Sequence, residues 1–193
     1  MRALLLLLTF VTAGCGSSSS PTRYYVLTPL EATAPTEKRD IAVLVSSVRL
    51  PQYLDRPQIV TRGGDNRLQV SDHEQWAGNL RQDMTRVLAE NLGRLLGSDR
   101  VVAAPHTVRA QPDFRVDVEV LRFERAPDGR VRLAAKWWLS RGDGSVLASP
   151  SAEVAGSALG EAGSFDALVA SMSAVYNELA MTIAQAIRAR GKA

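Results

Sequence analysis

The residues able to do chemistry are few and scattered. His73 stands at the predicted start of a helix and His106 in a loop beside Pro105, and neither has a nucleophile near it in sequence. Glu74, Asp83 and Glu90 are predicted to share the polar side of that helix with Arg81 and Arg86, as on a solvated face. No Gly-x-Ser-x-Gly elbow, phosphate-cradling loop or metal-ligand cluster occurs, so no catalytic, cofactor-binding or metal-binding residue is assigned. Cys15 is the single cysteine: it can form no internal disulfide, and with two histidines it is too little for a structural zinc site. Trp137-Trp138 on one strand must send its rings to opposite faces, one toward the core.

The position of Cys15 gives it a role. Arg2 precedes an apolar run, Ala3 to Val11, that is too short to span the roughly 30 Å hydrocarbon layer. Small residues follow, and Thr12-Ala13-Gly14-Cys15 reads as a lipobox with Thr where Leu is commoner. Residues 1–14 are therefore read as a signal peptide and residues 15–22 as a lipidated cysteine with a Gly/Ser-rich tether. Ordinary secretion, with an idle thiol, is the competing reading. Gly16, rather than Asp, after the cysteine favours the outer membrane of a Gram-negative cell, on its periplasmic face.

Residues 23–193 must hold one domain. The chain has 193 residues, 46% of them hydrophobic, which suffices for a core without disulfides. Its 23 basic and 20 acidic residues are interspersed, so no nucleic-acid partner is expected. Short β-rich runs are predicted at Tyr24–Leu27, Ile41–Leu50 and Val101–Ala104, with a hairpin around Gly63-Gly64-Asp65-Asn66. A helix capped by Ser71 or Asp72 carries Trp76, Leu80, Met84, Val87, Leu88, Leu92 and Leu95 as one apolar stripe and stops at Gly97. Phe114–Val120 alternates, and the parity change at Leu121 predicts a bulge. Strands Val131–Leu139 and Ser145–Val154 turn at Pro127-Asp128-Gly129 and Asp143-Gly144, and a second helix runs from Ser164 to Gly191. The order β-β-β-β-α-β-β-β-β-α predicts an α/β (α+β) fold: a mostly antiparallel mixed sheet with both amphipathic helices packed on one face.

One connection stands out. Leu50-Pro51-Gln52-Tyr53-Leu54-Asp55-Arg56-Pro57-Gln58 holds two prolines around an apolar pair. Either it folds back to bury Tyr53 and Leu54, or Tyr53, Leu54, Asp55, Arg56, Pro57 and Gln58 form a rigid contact surface for assembly. This stretch, continuing through Ile59-Val60-Thr61-Arg62, resembles the signature of the PqiC/YmbA lipoproteins. Tyr24-Tyr25-Val26-Leu27, Trp76-Ala77, Arg86–Leu92, Phe114-Arg115-Val116 and Phe123-Glu124 resemble the same family. The resemblance implies an outer-membrane-anchored auxiliary lipoprotein that partners an envelope-spanning MCE-family protein, supports lipid movement between membranes and self-associates into a ring. A lipid-binding carrier with its own pocket is the alternative, and a hydrolase a remoter third.

The anchor reading is directly testable. Wild-type protein should enter the detergent-rich phase on extraction, and Cys15→Ser should release a soluble protein with unchanged far-UV circular dichroism. Wild type in the aqueous phase would overturn the lipidation reading.

Overall fold

The computed structural model describes residues 20–31, 38–105, 111–159 and 164–191. Its longest pairing is a hairpin of β6 (Phe114–Arg125) with β7 (Arg130–Arg141), in register from Phe114↔Arg141 to Arg125↔Val131. Gly129 closes the turn with φ 76°, a conformation that costs a glycine little. The predicted bulge is present, as a register shift between Val120 and Arg122. It lets Val118, Val120 and then Phe123 all face inward across the change of parity. Trp137 points into the core, and Trp138 lies on the opposite face under the Arg49 guanidinium, 5.3 Å from its ring centre.

Around this hairpin a six-stranded sheet forms in the order β5-β2-β6-β7-β8, with β9 also on β7. The short β2 (Val43–Val45) runs parallel to both β5 (Val101–Ala103) and β6. The predicted strand Ile41–Leu50 is thus shortened, although Arg49 resumes the pairing by a bridge to Glu119. The predicted strand Ser145–Val154 divides into β8 (Val146–Ala148) and β9 (Ser151–Ala158). Pro150 explains the break: it has no N–H for a ladder, while its carbonyl still accepts from the Trp137 amide at 3.2 Å.

The α+β class is as expected, but the strands make two sheets rather than one. The second has the order β1-β4-β3, from β1 (Arg23–Tyr25), β3 (Gln58–Gly64) and β4 (Arg67–Trp76). Here the sequence expectation fails, because Ser71, Asp72, His73 and Glu74 belong to β4 and α1 begins only at Leu80. The parallel pairing Arg23↔Glu74 to Tyr25↔Trp76 uses the backbone groups that a helix would need. Asn79, not Ser71 or Asp72, is the cap, accepting from the Gln82 amide at 3.1 Å. From there the stripe of Leu80, Met84, Val87, Leu88 and Leu92 is buried in α1 (Leu80–Leu96), which ends at left-handed Gly97.

The second helix, α2 (Phe165–Arg190), starts at its expected cap, where Ser164 accepts from the Ala167 amide. By length and composition it could cross a membrane, but its apolar stripe from Leu168 to Ile187 is packed in the core. Helix α1 packs over β5 and β2, and α2 over β9, β7 and β6. Tyr176 joins the helices, its hydroxyl donating to the Met84 carbonyl at 2.9 Å.

The segment after β1 straps both helices. The Leu27 amide donates to Asp83 at 2.8 Å, that of Thr28 to Ser173 at 3.0 Å and that of Leu30 to Asn91 at 2.8 Å. Asn91 donates onward to Asn177, which reaches back to the Thr28 carbonyl. Backbone without a strand partner is thereby satisfied by side chains.

Leu88 has no exposed surface. Leu88→Ala should therefore lower stability by about 2–5 kcal/mol in chemical denaturation, and an unmoved midpoint would mean that the stripe is not core.

Candidate functional site

The stretch from Leu50 to Arg62 is built as a clamp. Three consecutive short-range bonds tighten its turn: Leu54 N–H to the Pro51 carbonyl (3.0 Å), Asp55 to Gln52 (3.3 Å) and Arg56 to Leu54 (2.9 Å). The Pro57 carbonyl then accepts from the Trp76 amide at 2.7 Å, tying the turn to the end of β4. Leu54 is only 3% exposed and belongs to the core. Tyr53 is half-buried. This corrects the expectation that both lie on an open contact surface, since the tight turn folds the pair inward while leaving Asp55, Arg56 and Pro57 outside. Gln58 is half-buried as the first residue of β3.

What the turn grips is Glu124. This carboxylate on β6 has no exposed surface. It accepts from the Tyr53 hydroxyl at 2.7 Å, from Arg62 Nε at 2.9 Å and from the Phe123 amide at 3.1 Å. Arg122 Nε adds a charge at 3.5 Å. Phe123 points the other way, toward the Tyr176 ring, as strand alternation requires. Burial, and donation to a carboxylate, hold the Tyr53 phenol well above its ordinary pKa. The signature stretch and Phe123-Glu124, separate in sequence, therefore meet in one buried ion pair.

A second Tyr–Glu–Arg set holds β1 to β4. Glu74 is 5% exposed. It accepts from Tyr25 Oη at 2.8 Å and from Arg23, whose Nε lies 3.0 Å from both carboxylate oxygens. Its placement corrects the sequence reading, which set Glu74 on a solvated helix face. The hydrogen bonds from Arg23 hold the Glu74 carboxyl below the usual carboxylate range against the opposing effect of burial. Desolvation, then the bond to Glu74, pushes the Tyr25 phenol up to about 12. Neither buried carboxylate was legible locally, because what covers each one comes from dozens of residues away.

Other polar residues pair on the surface. Arg86 pairs with Asp83 and Glu90 along α1, and Arg81 with Asp55 of the turn. His73 is exposed on β4. Among the described residues no group of three or more His, Cys, Asp or Glu could hold a metal ion. Cys15 and His106 lie outside the described residues. A groove of 830 Å³ opens at the start of α1, lined by Val26, Trp76 and Pro105 but also by Asp55, Arg81, Asp83 and Arg86.

A family model described as the ABC-type transport auxiliary lipoprotein component matches residues 25–184. The chain belongs to that family. As a transport auxiliary lipoprotein it is 28% identical over 178 residues, 91% of each chain, to the intermembrane transport lipoprotein PqiC of Escherichia coli K12, and equally to that of Shigella flexneri. Its fold is shared by a solved protein from Xanthomonas campestris, with TM-score 0.71 and 19% identity over 89% of this chain and 100% of the other. It is shared too by an uncharacterized protein at TM-score 0.72 and 21% identity, covering 87% of this lipoprotein and 99% of that chain.

The Glu74 set gives a pH prediction. A carboxyl whose folded pKa is lowered contributes stability that is present above its unfolded pKa and is lost as pH falls through the folded value. Acidification below about pH 4.3 should therefore destabilise wild type more steeply than Glu74→Gln in thermal melts, whereas parallel profiles would mean that Arg23 and Glu74 are not coupled.

Proposed function

We propose that the protein is an outer-membrane lipoprotein on the periplasmic face, anchored through Cys15, that serves as a non-enzymatic docking subunit of an MCE-type intermembrane lipid transport system and so supports envelope integrity. The likeness to PqiC across 91% of both chains carries this reading. An end-to-end match fits a shared role better than a shared fragment would. The chain would work by position, with the acyl anchor at one end and a protein contact, in a ring of copies, at the other.

The surface assigned to that contact is the outer side of the turn: Asp55, Arg56 and Pro57. Its backbone is fixed by three hydrogen bonds and two prolines, so docking would cost it little conformational entropy. Arg56 is exposed beside Asp55, which is held by Arg81, and a charge presented on a rigid turn suits recognition by complementarity. The alternative carrier role finds less support. An acyl chain in the 830 Å³ groove would find Val26, Trp76 and Pro105 there, but would also lie against the charged Asp55, Arg81, Asp83 and Arg86.

Arg56→Glu tests the assignment. As a surface change it should move stability by no more than about 0.5 kcal/mol, yet it should abolish co-purification with an MCE-family protein from detergent-solubilised membranes. Unchanged capture would remove the turn from the interface.

A further inference from the structure

Six large apolar side chains are exposed among the described residues: Tyr24 (65%), Val26 (54%), Val70, Leu121, Val146 and Met181. Only Tyr24 and Val26 are close neighbours in sequence. They alternate with half-buried Tyr25 and buried Leu27, so both project to the same outer side of the edge strand β1 and its continuation. They are also the two nearest to Cys15. The chain from Cys15 to Tyr24 reaches at most about 30 Å when fully extended, whereas a folded body of this length is about 40 Å across. An anchored molecule therefore cannot turn its far side to the bilayer and take this side away.

From this geometry we infer a second, non-covalent membrane contact: Tyr24 and Val26 seat the start of β1 in the interfacial region of the phospholipid monolayer that holds the anchor. The inference rests on the Cys15 anchor proposed above. A tyrosine suits that depth, its ring entering the acyl boundary while its hydroxyl stays among the headgroups. The backbone behind it is stiff. Arg23 and Tyr25 are fixed to Glu74, and the Leu27 and Thr28 amides are bonded to Asp83 and Ser173, so the pair is presented by a braced support. The contact would do what a lipid chain alone cannot, which is to set the body's orientation and so the direction in which Arg56 faces.

The test uses the mature acylated protein in vesicles of phosphatidylethanolamine and phosphatidylglycerol. Acylation consumes the only native thiol, so Tyr24→Cys, Val26→Cys and Val146→Cys can each be labelled singly with an environment-sensitive nitrobenzoxadiazole dye. Val146 is the control: its strand β8 ends the sheet order at the opposite side from β5, whose neighbour Pro105 shares the groove with Val26. The labels at 24 and 26 should emit at shorter wavelength with vesicles than on the same variants carrying Cys15→Ser in lipid-free buffer, and should be quenched by headgroup-level spin-labelled lipid. The label at 146 should do neither. Protein that floats with the vesicles while its labels at 24 and 26 emit as in water overturns the contact and leaves the anchor standing. Protein that does not float overturns the anchor, and the contact with it.

Discussion

A carboxylate with no exposed surface has to be held, and the rest of the architecture follows from how Glu124 is held. Removing an ionised carboxylate from water costs several kcal/mol unless charge and hydrogen bonds replace the lost solvation. Tyr53, Arg62 and the Phe123 amide supply them from the turn before β3, from β3 itself and from β6. The two sheets share no strand, and this cluster joins the three-stranded one to the centre of the six-stranded one. Loss of Arg62 would take away the nearest cation from this carboxylate, and loss of Tyr53 would take away one of its donors. The arrangement is best understood as a device for a fixed geometry, because a buried ion pair is a poor source of net stability.

Fixing the joint also fixes what faces outward. With Tyr53 and Leu54 drawn inward, the same turn must present Asp55, Arg56 and Pro57 to solvent. The second buried carboxylate, Glu74, acts likewise at β1. The strap from Leu27 to Leu30 then carries that bracing onto both helices. The end of β4 serves both β1 and the turn: Glu74 binds Arg23 and Tyr25 of β1, and, two residues on, the Trp76 amide donates to the Pro57 carbonyl of the turn.

Much of this was legible in the sequence wherever the cause was local. Gly97, Gly129 and Gly144 mark left-handed positions, Ser164 caps α2, and the parity change after Val120 is the bulge. The start of α1 was not legible. Trp76 and Leu80 are four apart and fit a helical stripe, and only the arrival of β1 beside β4 commits Trp76 to a strand. Division into two sheets was hidden for the same reason, since strand partners are set by pairing over long separations. The candidate turn was half legible: its prolines and its charged tip mark a rigid, partly exposed connection. The inward fate of Tyr53 depends on Glu124, 71 positions away.

The joint at Glu124 is most directly tested by a double-mutant cycle of Tyr53→Phe with Glu124→Gln, read in equilibrium unfolding together with amide exchange of β3 and β6. Direct contact predicts a coupling free energy of about 0.5–3 kcal/mol, with protection lost in both strands by either single change. Additive effects, with exchange altered in only one strand, would contradict the account.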